Sequence, residues 1–544
     1  MLRFHLPAWP LLMLAIAPCA TAVAQTHDMS HMDMAGPVGS VHFGNSCTHA
    51  VGAQLDHAVA SLYSFWFIDA RERFQRVAQQ DPDCAIAYWG VAMSNYEQIS
   101  GGGLPEGRQL KAGRDALVNA KPARERTPRE QAYLDAAAII FAADTIPDHD
   151  TRVRRFSAAM GRIATDYPLD QQAQVIYAMS LLKDGMPADP DLVLARQSLD
   201  ILNRVLKVEP DNPGVLHFII HATDNPRMAS LGLDAARRYA KVAAGAPHAL
   251  HMPSHIFARL GLWVEDINSN LASQKAAEQP PLLHTVAENR LHAMDFLEYA
   301  YLQTGRDDLA ASIANEAREV RAADFSIGLG RYHDSMEADF PTHLLLETGD
   351  WAAAEALQPG SASDPYARRA IFWAQAVAAG HLKDPKTAAR SQERARATYK
   401  TTELAAVEAH PTPIWAEIKA WTLFSAGATD KAVALLRPAA DLQDRTGKGE
   451  TELPVREMIG DMLRLGGRNP EALAEYRISL KTDPGRFNTL LHAGEVAQAL
   501  GLRDEAAGYY RQLLKNAPHP SPKYAALLSQ PREFLVSIAA RRDH

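Results

Sequence analysis

Gly467-Arg468-Asn469-Pro470-Glu471-Ala472-Leu473-Ala474-Glu475-Tyr476, closed by Pro484, is followed by Gly501-Leu502-Arg503-Asp504-Glu505-Ala506-Ala507-Gly508-Tyr509-Tyr510, closed by Pro518. The Gly, Ala, Tyr and Pro of the first stretch return in the second at a common offset of 34 residues. A fixed period of this length marks a repeat architecture. Each unit reads as helix, Gly-containing turn, second helix and Pro-containing turn, which is a helical hairpin. One hairpin cannot bury its apolar face alone, so stacked neighbours must supply the core.

These residues resemble the tetratricopeptide repeat, in which Gly lies between the two helices, a small residue five positions on lets them approach, and Pro closes the unit. The resemblance implies an all-α fold, a right-handed superhelical solenoid of tetratricopeptide-like helical hairpins. The Gly-plus-five signal continues upstream as Gly427/Ala432, Gly349/Ala354 and Gly305/Ala310, while Gly261 has Asp266 at that place. Gly261, Gly305 and Gly349 are 44 apart, so those units carry longer helices or loops. Ala70, Phe74, Asp81-Pro82 and Ala87-Tyr88-Trp89-Gly90 look like another hairpin near the start. The expected organisation is a signal peptide (1–24), a flexible leader (25–40), N-terminal repeats (41–210), His-rich repeats (211–357) and C-terminal repeats (366–544), with a break at Gln358–Pro365.

Length and composition agree with this. A chain of 544 residues exceeds one compact core, and 47% hydrophobic with 22% charged residues suits a folded protein. The net charge of -8 argues against nucleic acid, whose phosphates need clustered Lys and Arg. Arg3, the apolar run Leu11–Ala17 and Ala22-Val23-Ala24 read as a secretory signal. The protein is therefore expected to be exported, periplasmic or secreted. Pro18 fits the lipobox-like Ile16–Cys19 poorly, so no lipid anchor is expected, and no apolar run is long enough for a transmembrane segment. Cys47 and Cys84 remain after processing and are candidates for a disulfide in an oxidising compartment. The leader, His27 to Met34, alternates soft thioether and imidazole ligands that suit copper; the plainer reading is a polar spacer.

Of 21 His, nine lie between His217 and His343. His217, His221 and Asp224 fall at i, i+4, i+7 of one stretch, and His248, His251 and His255 at i, i+3, i+7 of another, so each set shares a helical face. His217 to His251 and His221 to His255 are both 34 residues, which would bring the pairs together in stacked hairpins. Aligned on the turn Gly, the same places hold His292, Asp295 and Tyr299 in the next unit, and Met336, Asp339 and His343 in the one after. Imidazoles and carboxylates converging from neighbouring helices build transition-metal sites in helical scaffolds. The expected ligands are His217, His221, His251 and His255, with Asp224, His248, His292, Asp295, Asp339 and His343 as further ligands or their supports. Tyr299 and Met336 are expected to line the groove. The metal is copper or zinc for an all-imidazole set, with iron admitted by a carboxylate. The same residues also read as groove polarity gripping a protein or peptide partner without metal.

Pro213-Gly214-Val215-Leu216-His217 through His221, Asp224-Asn225-Pro226 and Pro247-His248-Ala249-Leu250-His251-Met252-Pro253-Ser254-His255-Ile256-Phe257 resemble a family of uncharacterised bacterial exported tetratricopeptide-repeat proteins. Cys47, Ser64-Phe65-Trp66-Phe67 and Asp81-Pro82-Asp83-Cys84-Ala85 share the likeness. It implies the fold and export and brings no activity. Met252 stands where a zinc protease HExxH would need Glu, and there is no GxSxG elbow, phosphate loop or paired CxxC. Three functions follow: an exported protein binding a transition metal in its concave groove, with a small ligand or peptide beside it; a metal-free protein–protein interaction scaffold; or a metalloenzyme of unknown reaction.

Overall fold

A computed structural model describes residues 36–96, 107–121, 123, 126–185, 189–279, 287–320, 330–360, 364–449 and 451–542. The signal peptide, the leader from Gln25 to Ala35 and Gly101-Gly102-Gly103 lie outside them. Among the described residues there are twenty-eight α-helices and no strand. None of these helices is long and apolar enough to cross a membrane.

The period visible in sequence has a direct packing counterpart. Val455–Leu465 and Asn469–Thr482 form one hairpin, Phe487–Ala499 and Arg503–Asn516 the next. The turn glycines Gly261, Gly305, Gly349, Gly427, Gly467 and Gly501 all take positive φ, between 66° and 82°, which costs any other residue strain. Five residues on, Ala310, Ala354, Ala432, Ala472 and Ala506 are fully buried between the helices, and so is Asp266. A Cβ on Gly460 would stand 2.5 Å from the Tyr476 ring, and one on Gly494 would stand 2.3 Å from Tyr510. Gly on one helix therefore seats Tyr from the other, in the same place 34 residues apart. The hairpins 44 apart gain length from Ala287–Gln303 and Gly330–Glu347, of 17 and 18 residues.

The C-terminal hairpins fold back against the His-rich ones. The Trp263 indole donates to the Gly485 carbonyl at 2.9 Å, and a Cβ on Gly261 would come 2.3 Å from the Pro484 carbonyl oxygen. Arg486, wholly buried, donates to Glu347 at 2.8 Å, to Glu457 at 2.7 Å and to the Tyr299 hydroxyl at 2.9 Å. From Gly36 onward the chain is one packed unit, and the blocks on either side of Gln358–Pro365 touch one another. Near the N-terminus Cys47 and Cys84 are joined as a disulfide, with Cα atoms 4.6 Å apart.

Candidate metal centre

Asn212 starts the first site helix. Its side chain accepts from the Gly214 and Val215 amides, and Pro213 presets the first turn of Pro213–Thr223. That helix carries His217 and His221 one turn apart, with their Nε2 atoms 3.0 Å from each other. The second stretch is divided: Pro253, lacking an N–H, opens a new helix, so Pro247–His251 and Pro253–Leu260 meet at Met252. His251 and His255 nevertheless also bring their Nε2 atoms to 3.0 Å. His248 joins the first pair and His292, from Ala287–Gln303, joins the second. In each trio, one ring nitrogen per residue lies within 4.8 Å of the others. The trios adjoin, with ring centroids 6.0 Å apart for His248–His251 and 6.4 Å for His221–His255.

The four histidines expected to converge thus divide into two pairs, each completed by a third ring. The reason is dimensional. Side chains at i, i+4 start roughly 5–6 Å apart, whereas packed helix axes stand roughly 8–10 Å apart. Equivalent places on stacked units are therefore neighbours, and same-face places on one helix are closer still. The rows are also buried rather than open: His217 is 0% exposed and His251 1%.

The outer ring nitrogens fix the tautomers. His217 Nδ1–H donates to the Tyr63 carbonyl at 2.6 Å, His251 Nδ1–H to Asn270 Oδ1 at 2.6 Å, and His255 Nδ1–H to Asp224 Oδ2 at 2.8 Å. Asn270 is held in that orientation because its Nδ2 donates to the Asp266 carboxylate at 2.8 Å and to the Asp266 carbonyl at 3.0 Å. Asp224 also accepts from Arg259 Nε at 2.9 Å. His251 and His255 each commit the Nδ1 proton to an obligate acceptor, so in their neutral forms both Nε2 atoms present lone pairs to one another. Two lone pairs at 3.0 Å repel unless a proton or a metal ion lies between them. Metal–imidazole bonds of roughly 2.0–2.1 Å at ordinary coordination angles put their nitrogens about 3.0–3.4 Å apart.

Burial favours the neutral, coordinating form. It pushes His217 down to about 3, against the lift given by the Tyr63 carbonyl, and it drives His248 well below the usual imidazole range, helped by His217, His251, His221 and His292. His248 Nε2 is buried without a hydrogen-bond partner. Each trio has an aromatic wall. The Phe65 ring lies 4.4, 5.7 and 5.4 Å from His217, His221 and His248, and Phe296 lies 4.9, 4.7 and 5.3 Å from His251, His255 and His292. Phe65 does this at a φ of 51°, in a region that costs a non-glycine residue about 1–3 kcal/mol. A cavity of about 340 Å3, walled by Phe65, Leu182, Leu192 and Phe218, reaches His221 and Asp224.

The remaining sequence candidates lie elsewhere. Asp224 supports His255 through its outer nitrogen. Asp295 and His343 form a separate group with Glu298, and Asp339 stands one turn before His343. Burial raises Asp339 to about 7, with Asp295 adding to it and His343 opposing. Tyr299 accepts from Arg486 in the buried ion cluster, and Met336 packs with Leu291, Met294 and Phe340 in an apolar cluster. Sequence reasoning missed Phe65, Asn270, Phe296 and Glu298 as site residues. Asp266 carried a signal, since it is an acid where the other units have Ala. No family model matches the chain, and no curated protein matches it.

Proposed function

We propose that the protein is an exported metal-binding protein whose six histidines, 217, 221 and 248 in one group and 251, 255 and 292 in the other, hold two transition-metal ions, copper or zinc. The observation that carries this is the His251–His255 contact, in which two ring nitrogens, both Nδ1 protons being committed, face each other at 3.0 Å. An all-imidazole set is neutral and borderline-soft, which suits those metals over magnesium or calcium. Tyr63, Asn270 and Asp224 orient the rings and keep the coordinating nitrogens unprotonated. The cavity beside His221 supports a small organic molecule binding next to the first group, and hence the metalloenzyme reading over a bare store.

Two finer readings belong with this. The positive-φ turn glycines, buried small residues and 34-residue register support a tetratricopeptide-like superhelix. The disulfide supports export, because such bonds persist in oxidising compartments.

The test is metal analysis of the chelator-stripped and reloaded full chain. The six histidines should take up about two ions of copper or zinc per chain, with nitrogen-dominated coordination by X-ray absorption. His251→Ala with His292→Ala should remove one ion and His217→Ala with His248→Ala the other, while deleting 27–34 should leave both. Because burial holds His217 at about 3 and His248 well below its usual range, the group at 217, 221 and 248 should keep its ion below about pH 6. A chain that stays metal-free after exposure to copper and zinc refutes the proposal.

A further inference from the structure

One helical turn beyond His292, the Ala287–Gln303 helix presents Asp295 and Glu298 towards the Gly330–Glu347 helix, which supplies His343. One ligand atom from each of Asp295, Glu298 and His343 lies within 4.8 Å of the others. Asp295 Oδ2 accepts from the Thr451 hydroxyl at 3.0 Å, while its Oδ1 is buried with no hydrogen-bond partner and stands 3.7 Å from His343 Nδ1. Glu298 decides the matter. It is 0% exposed, neither of its oxygens has a hydrogen-bond partner, and it is directed at the same space as the other two.

Asp295 has His343 as an ion-pair partner at 3.7 Å, but Glu298 is costly in both of its protonation states. As a carboxylate, Glu298 is a desolvated charge beside a second carboxylate, with Asp339 adding a third acid nearby. As a neutral acid it still leaves an O–H and a C=O unmatched in the interior, each costing as an unsatisfied buried group. A divalent cation among the three residues removes both costs, because it accepts lone pairs and neutralises the acids together. The donor set is two carboxylates and one imidazole, unlike the all-nitrogen set one turn away. Oxygen-rich sets favour harder ions, and the imidazole selects manganese or ferrous iron over magnesium and calcium.

We infer that Asp295, Glu298 and His343 form a second kind of metal centre, taking a hard divalent ion of the manganese or ferrous class beside the imidazole centre. This assignment does not rest on the histidine reading and can stand without it.

Manganese(II) is the probe, because its paramagnetic resonance distinguishes bound from aqueous ion. The full chain, stripped with chelator, is titrated in two backgrounds: native, and His217→Ala with His251→Ala, which disables the imidazole groups. About one manganese ion should bind in both. Glu298→Gln and Asp295→Asn, close in volume to the native side chains, should each weaken it at least about tenfold, whereas copper or zinc loading of the native imidazoles should persist in both variants. Melting without metal reports folding: Glu298→Gln should melt no lower than the native chain, yet lose the manganese-dependent rise. Absence of manganese binding to the native chain, or equal binding by both variants, overturns the assignment and leaves a proton-held acid group. Loss of manganese only in the histidine double variant would place the ion among the imidazoles and also overturns it.

Discussion

Asp266→Ala separates orientation of a ligand from packing more cleanly than removing a histidine would. Ala occupies the equivalent, fully buried place in five other hairpins, so the smaller side chain fits this kind of helix junction. The substitution removes the 2.8 Å bond from Asn270 Nδ2 to the carboxylate, worth about 1 kcal/mol. Against that, it removes a carboxyl group that burial holds well above its usual range and whose Oδ2 has no partner. Asn270 keeps its bond to the Asp266 carbonyl, so metal-free stability should change by no more than about 1 kcal/mol in either direction. The metal-loaded state should respond differently. With one of two anchors gone, only the Asp266 carbonyl holds Asn270 Nδ2, so Oδ1 is presented less firmly to His251 Nδ1–H and the ring is less firmly oriented. Losing such an outer partner weakens metal affinity about 10–100-fold, or about 1.4–2.7 kcal/mol. Competition titration against a chelator measures the affinity, and paired melts with and without copper or zinc measure the two stabilities. Native affinity in the variant would refute the orienting role. A metal-free loss above about 3 kcal/mol would show that Asp266 is a packing residue whose carboxylate the fold requires.

Arg486→Met should destabilise by about 3–5 kcal/mol in urea titration, because it leaves Glu347 and Glu457 buried without their cation; a loss below about 1 kcal/mol would refute the ion cluster as the bond between the middle and C-terminal hairpins. Cys47→Ser with Cys84→Ser, or reduction, should cost about 4 kcal/mol for a separation of 37 residues, and an unchanged melting temperature in reductant would refute it. His381, stacked 3.7 Å from Trp351 and 4.9 Å from Trp421, is depressed to about 4 by burial and His492, against the pull of Asp461. The unfolded chain therefore takes up this proton first on acidification, so stability is full above about pH 6.5 and falls between about 6.5 and 4, by at most about 3 kcal/mol. His381→Phe should flatten that window in melts across pH, and an unchanged acid slope would exclude His381 as its source.

The hairpin boundaries were legible because their causes are local. The turn Gly recurs from Gly261 to Gly501, Ala stands five places on in every one of these units except that of Gly261, and Pro closes the last two; these are steric requirements of a tight helix junction. The i, i+4 pairs His217/His221 and His251/His255 were legible for the same reason, since helical spacing alone makes them neighbours. Their third partners were harder to assign. His248 sits in a short helix that ends against Pro253, and His292 arrives from a longer unit whose register the 34-residue period does not describe. Asn270 and Phe65 gave no periodic signal, because one serves through an outer nitrogen and the other through a single residue of left-handed backbone. Glu298 lay outside the row aligned on Gly305, one place before Tyr299.

Sequence by itself determined the all-helical repeat pattern, the same-face histidine pairs and the two cysteines available to pair. Periodicity, steric demand at glycine and the residue inventory are properties of the chain that no packing alters. Tertiary structure decided which rings share a trio, that Asp224 serves His255 from behind, and that Asp295 and His343 belong with Glu298. It also decided that Tyr299 and Met336 lie in an ion cluster and an apolar cluster. These outcomes depend on how far apart helices pack and how each is turned about its axis. Differences of a few ångströms there separate a ligand from its neighbour, and residues far apart in the chain, such as Thr451 against Asp295 and Arg486 against Glu347, set them together.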